Sequence, residues 1–207
     1  MTSLENIKNV IKKLNLINGL SEHLCYFGGA VPYLSFNQES PREHSDLDVL
    51  VKEEYMPTIR ELTKQNFYYK TELDSINLGL DDDYGLKTFI DGVYVEFEPM
   101  NIENGVFTRK SFSPSKKVAG IEKIPFENLG DIITTTEVNG IKISFQSVEM
   151  IKAQKEIYKR EKDLIDIAFI DSQGINKDKY GQVKKSMQTA TYNIISCEKP
   201  KKTEITK

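Results

Sequence analysis

Two carboxylates spaced by one residue stand in Asp46-Leu47-Asp48-Val49-Leu50-Val51. Side chains alternate faces along a strand, so a strand here sends Asp46, Asp48 and Leu50 one way and Leu47, Val49 and Val51 the other. The second set is an ordinary core face. On the first, two like charges about 7 Å apart along the strand repel unless a cation lies between them. Mg²⁺ suits such a place, because it takes carboxylate oxygens and keeps waters for a phosphate substrate. An Asp-x-Asp pair by itself equally suits a strand that faces water.

Upstream, the apolar run Leu24 to Phe27 reads as a buried strand that ends at Gly28-Gly29, and Ala30 to Asn37 reads as a helix. Without Cβ atoms the turn lets backbone approach a ligand, and the helix start adds N–H donors, which makes a phosphate cradle. The plainer reading is a strand-to-helix turn. No Gly-Lys-Ser/Thr follows, so this is not a Walker A loop.

In combination these parts are more specific. Gly28-Gly29-Ala30, a short helix, Arg42-Glu43-His44-Ser45 and then Asp46-Leu47-Asp48-Val49 follow one another in a single order. This resembles the DNA polymerase β-like nucleotidyltransferase superfamily. The Arg-x-His-x-Asp-Leu-Asp form looks most like small bacterial antibiotic nucleotidyltransferases of the lincosamide and aminoglycoside type, and is similar to related toxin–antitoxin nucleotidyltransferases. The likeness covers residues 20–100 and, more loosely, 140–170.

The resemblance implies an α/β (α+β) fold, a mixed β-sheet with flanking helices. It implies two Mg²⁺ ions held by Asp46, Asp48 and a third carboxylate on a neighbouring strand. Tyr94-Val95-Glu96-Phe97-Glu98-Pro99 offers Glu96, flanked by two apolar residues, as that third ligand. Glu98 is the reserve ligand or a base near the acceptor. Gly28, Gly29, Ala30, Arg42 and Ser45 would bind the nucleotide, with Lys155 or Lys162 reaching the triphosphate. The implied reaction moves AMP from ATP to an acceptor hydroxyl and releases pyrophosphate, an activity of the EC 2.7.7 kind. The acceptor is a small antibiotic-like molecule, or, as in toxin-type relatives, tRNA or a protein side chain. A catalytically silent nucleotide-binding module is the rival reading. Arg160-Glu161-Lys162-Asp163-Leu164-Ile165-Asp166 looks like the Lys-Asp-Leu-x-Asp segment of small nucleotidyltransferases. It also reads as a helix surface laced by Lys159–Asp163 and Lys162–Asp166 pairs, each worth about 0.3 kcal/mol.

These residues need a scaffold. The chain has 207 residues, 39% hydrophobic, with 28 Lys and Arg against 31 Asp and Glu. One core fits that length, and a net charge of -3 does not predict a general nucleic-acid coat or a membrane-surface protein. Leu4, Ile7, Ile11 and Leu14 share a helix face, with Thr2 and Glu5 at capping-box spacing and Gly19 at the end. Further helices are predicted from Pro57 to Gln65, from Ser147 through Tyr158 and from Glu161 to Ile170, and a strand from Phe67 to Leu73. Asp91-Gly92 and Asn139-Gly140 are hairpin turns. Asp81-Asp82-Asp83 reads as a solvated loop, His23 as ordinary surface, and His44 as a brace for the loop before Asp46.

The division expected is a nucleotidyltransferase domain over 1–171 and a basic, helical or disordered extension over 172–207. That extension is an arm for an acidic substrate or a solvated tail. Cys25 and Cys197 show no metal-ligand spacing and read as reduced thiols. The apolar stretch 24–36 is broken by Gly28, Gly29 and Pro32 and is shorter than the roughly 20 residues that span a bilayer. The expectation is a cytoplasmic protein without membrane contact, either monomer or homodimer.

Overall fold

The computed structural model describes residues 2–17, 19–138 and 141–196. Its first element, α1 (Leu4–Asn15), buries Ile7, Val10, Ile11 and Leu14, the face that the spacing marks out. Its cap is Ser3, whose hydroxyl accepts from the Asn6 amide, and not Thr2. Thr2 instead exchanges backbone hydrogen bonds with His44. Gly19 lies past the helix end, which closes at Leu16.

Among the described residues nine strands form one sheet. They are β1 (Leu24–Phe27), β2 (Leu47–Lys52), β3 (Leu86–Ile90), β4 (Val93–Glu103), β5 (Val106–Ser113), β6 (Val118–Pro125), β7 (Ile133–Val138), β8 (Ile141–Gln146) and β9 (Thr191–Ser196). Their order is β7-β8-β1-β2-β4-β5-β6-β9, with β3 pairing β4 beside β5. The pairs β1–β8 and β2–β4 are parallel and the others antiparallel, so the sheet is mixed. The β3–β4 hairpin turns at Asp91-Gly92, where φ is +49° and +81°, as a two-residue type I′ turn requires. Asn139-Gly140 lies outside the described residues, although β7 and β8 on either side of it do pair.

The helices are α2 (Val31–Ser35), α3 (Met56–Asn66), α4 (Leu129–Ile132), α5 (Val148–Tyr158), α6 (Glu161–Gln173) and α7 (Lys177–Gln188). One core packs α1 and α3 against Tyr26, Val49, Val95 and Phe97. On the other face Met150 and Ala153 of α5 and Val183 of α7 meet Phe27, Leu50, Met100 and Phe107. Strand alternation thus sets one face of β2 into each core. Leu50 shares its face with Asp46 and Asp48, so the acids lie on the α5 side.

Residues 67–73 do not form the expected strand. Only Tyr68 bridges to Phe89, and a 3₁₀ turn follows at Thr71–Leu73. Buried polar side chains hold the chain off the sheet. Arg60 donates to Asp74 at 2.9 and 3.1 Å and Tyr69 donates to the same carboxylate at 3.0 Å. Nor is 81–83 a solvated loop throughout. Asp83 accepts two hydrogen bonds from Arg60, and Asp82 pairs with Lys110 at 2.7 Å. Two fixed carboxylates around one guanidinium explain the excursion between α3 and β3. His23 is not plain surface either, since its ring stacks on Tyr55.

Within 172–207, α7 packs Val183 into the second core and β9 pairs with β6 over six positions. Cys197 and residues 198–207 lie outside the described residues. Among the described residues no helix is long and apolar enough to cross a membrane.

Candidate active site

Register brings the acids together. Asp48 is the neighbour of Phe27 on one side and of Glu96 on the other, and Glu96 is opposite Lys87. Phe27, Asp48, Glu96 and Lys87 therefore form one row across four strands. Leu50 and Glu98 begin the next row. The parallel β2–β4 pairing is what places the Asp-x-Asp strand beside the Glu-x-Glu strand. Their like faces coincide because Asp48 and Glu96 are register partners.

Each of the two β4 carboxylates faces a cation of the chain. Lys87 makes an ion pair with Glu96, and its ammonium lies 5.3 Å from the Phe112 ring centre. Arg109 lies 3.6 Å from Glu98 and 2.9 Å from Glu122, with its guanidinium 5.1 Å from the Phe27 ring centre. Burial pushes the Glu98 carboxyl up to about 7, against the opposing pull of Arg109 and Lys87. Asp46 and Asp48 differ. Among the described residues neither side chain has a hydrogen bond or an ion pair. Burial, followed by repulsion from Asp46, Glu96 and Glu98, raises Asp48 well above the usual carboxylate range.

The Gly28-Gly29 turn abuts this pair. Gly28 has φ +83°, and a Cβ there would fall on the Asp48 carboxylate. A Cβ on Gly29 would fall on the Arg42 guanidinium. The space that the sequence reading kept for a phosphate alone is thus shared with two side chains of the chain itself. Ala30 is buried and immediately precedes α2, which has only five residues.

Behind the turn lies a buried ionic network. Arg42 holds Asp166 through two hydrogen bonds of 2.9 and 2.7 Å. Asp166 also takes the Tyr33 hydroxyl at 2.9 Å and Lys155 at 2.7 Å. Lys155 reaches Asp163 at 3.1 Å, and Arg160 reaches it at 2.7 Å. Asp163 and Asp166 are wholly buried. The pairs Lys159–Asp163 and Lys162–Asp166 do not form, because α6 turns these two acids inward. Burial alone would raise Asp163, but Arg160 and Lys155 hold it down at about 2.

His44 is buried, with Nε2 3.0 Å from the Ser40 hydroxyl and its ring edge-on to Tyr33. Burial, then the neighbouring Arg42, lowers it to about 4. It is a neutral brace for the segment leading to Asp46.

These groups line a cavity of about 200 Å³. Its lining brings the turn and Asp46–Asp48 together with four cations, Arg42, Lys155, Arg160 and Lys162, of which Arg42 lies against Gly29. Arg109 and Tyr158 line it too, and exposed Ser45 sits at the rim. Of the residues expected from sequence, Gly28, Gly29, Arg42, Ser45, Asp46, Asp48 and Lys155 line this one cavity, whereas Glu96 joins through Asp48. Arg109, Arg160, Tyr158 and Lys87 escaped sequence reasoning. The one signal for Arg109 was parity, since two residues on from Phe107 it shares that residue's face of β5, the face of the second core.

An uncompensated, all-oxygen pair such as Asp46–Asp48 fits one hard divalent cation. A second ion finds a poorer fit. Glu96 is taken by Lys87, and among the described residues no three His, Cys, Asp or Glu side chains gather about one point.

No family model matches the chain, and no curated protein does. Solved structures do. Lincosamide antibiotic adenylyltransferase LnuA, solved with lincomycin bound, superposes with a TM-score of 0.52 at 17% identity, over 83% of this chain and 96% of that one. The antibiotic-resistance factor ANT(2'')-Ia gives 0.52 at 14% identity, over 89% and 90%. At these identities the likeness is one of fold. The chain has the mixed-sheet nucleotidyltransferase fold expected from its Gly-Gly turn and Asp-x-Asp strand.

Proposed function

We propose that this protein is a Mg²⁺-dependent nucleotidyltransferase that moves AMP from ATP to an acceptor hydroxyl. The observation that carries the reading is the Asp46–Asp48 pair, without an ion pair among the described residues, lining one cavity with the Gly28-Gly29 turn and with Arg42, Lys155, Arg160 and Lys162. A bound divalent ion would neutralise phosphate charge and polarise the α-phosphorus. Asp46 and Asp48 are the residues to hold it. The four cations of the lining orient the triphosphate. Lys162 has no ion pair among the described residues, and Arg160 is more than half exposed, so both have donors to offer. Arg42 and Lys155 act mainly through charge, because Asp166 and Asp163 already engage them.

A small hydroxyl compound of the antibiotic type is the acceptor we favour, given that both structural neighbours act in antibiotic resistance or on lincosamides. Incubation with labelled ATP and Mg²⁺ against lincosamides, aminoglycosides, tRNA and cell protein tests this. We expect label on one small-molecule class, and label on tRNA or protein would establish the toxin-type activity instead. Calorimetry with millimolar ATP and Mg²⁺ that shows no binding heat would overturn the reading.

A further inference from the structure

We propose that Lys87 stands in for a second metal ion, so that the site holds one divalent cation, on Asp46 and Asp48. The inference rests on the proposed nucleotidyltransferase reading and concerns only how its charge is arranged. Sequence resemblance assigned two ions to three carboxylates, Asp46, Asp48 and Glu96. In the structure the third carboxylate already has a cation.

The pairing is built in by topology. The type I′ turn at Asp91-Gly92 lays β3 against β4 with Lys87 directly opposite Glu96. Both side chains point to the face that carries Asp48, because Glu96 is also the register partner of Asp48. The Lys87 side chain is only 7% exposed and that of Glu96 only 19%, so the pair is largely out of water. The Phe112 ring backs the ammonium at 5.3 Å, which favours a cation there. Within the site Glu96 is the one carboxylate that Lys87 pairs with.

A divalent ion bound to Glu96 would therefore share one carboxylate with a buried ammonium, and the two cations would repel at close range. Glu98, the reserve ligand, faces Arg109. Among the described residues Asp46 and Asp48 are the acids of this site without an ion pair. The arrangement supplies fixed positive charge on the β3 side of Asp48 and leaves one place for a mobile ion on the turn side.

Counting ions tests this without any acceptor. Bound Mn²⁺ is measured by electron paramagnetic resonance on the full chain with α,β-methylene-ATP, for wild type, Lys87→Gln and Lys87→Arg. We expect one Mn²⁺ per chain in wild type and in Lys87→Arg, which keeps the cation. Lys87→Gln should take up two, or bind the second at least tenfold more tightly. Two ions on the wild type would overturn the role of Lys87 while leaving nucleotide transfer standing. A single ion unchanged in Lys87→Gln would overturn it too. No Mn²⁺ on the wild type would overturn both the transferase reading and this one. Should Lys87→Gln fail to fold, Glu96→Gln decides the matter. It should still hold its one ion within a few-fold of wild-type affinity, and a tenfold loss would make Glu96 a ligand and refute the proposal.

Discussion

At Asp48 the Gly28 backbone lies on one side and three further acids lie around the other. A carboxylate crowded in this way is strained when ionised. Its folded pKa stands above the unfolded value of about 3.9, so its charge costs stability once the pH rises past that value. Asp48→Asn in metal-free buffer should therefore melt at or above the wild-type temperature at pH 7, and the two should converge near pH 3. The same substitution should slow nucleotide transfer on the order of a thousandfold, because the lost charge is one that a metal needs. Thermal melts across pH and a labelled-ATP assay check the two halves. A destabilised but active variant would make Asp48 a structural acid. Much of this was legible before folding, since strand parity alone sets Asp46 and Asp48 on a common face. That the turn at Gly28 leaves room for Asp48 was not, because the contact joins the turn after β1 to β2.

Among the elements, α6 has the largest electrostatic task. Its first two turns bury Asp163 and Asp166, and these acids hold Arg42, Lys155 and Arg160 around the cavity. Removing one partner from a buried ion pair leaves the others uncompensated, at a cost of about 3–5 kcal/mol. Asp163→Asn should lose about 2 kcal/mol at pH 7 in urea denaturation, less than that figure, because Lys155 keeps Asp166 and Arg160 is more than half exposed. Since Asp163 is held at about 2 in the fold, its contribution is complete above about pH 4 and is lost as the pH falls through 2. The gap between variant and wild type should accordingly narrow over that window. A gap that stayed constant with pH would show that hydrogen bonding, and not charge, is what the acid supplies. The sequence identified α6 as a helix, yet spacing also read its acids as surface pairs with Lys159 and Lys162. Their partners are Lys155 on α5, Tyr33 on α2, Arg42 on the loop before β2 and Arg160 at the start of α6 itself.

For the molecule as a whole, acid stability is a sum of opposing parts. His44 is neutral in the fold with a pKa of about 4, whereas the unfolded chain binds a proton near 6.5. Its neutral state thus favours folding fully above about pH 6.5, and that advantage is lost as the pH falls toward 4, amounting to about 3 kcal/mol at most. Asp48 and Glu98, both raised by burial and Glu98 to about 7, act in the opposite direction over the same range. We expect these parts largely to cancel in the wild type between pH 6.5 and 4.5, and His44→Gln, which lacks the histidine's loss, to gain stability relative to wild type as the pH falls over that range. Guanidinium titrations at several pH values measure it, and an unchanged slope in the variant would show that His44 contributes no such loss.

Local chemistry in the sequence was enough for α1, for the β3–β4 turn, for the Ser147 cap of α5 and for the shared face of Asp46 and Asp48. Each depends on residues a few positions apart, through helical or strand period, turn propensity or side-chain capping. The resemblance carried by Gly28-Gly29 and Asp46-x-Asp48 was enough for the mixed-sheet fold. Tertiary structure alone decided who neutralises whom. Arg42 meets Asp166 across 124 positions, Arg109 reaches Glu98 from a strand that matched no known pattern, and Lys87 takes Glu96 because a hairpin register aligns them. Charge pairing depends on distance in space and on exclusion of water. Neither exists until the sheet has been assembled.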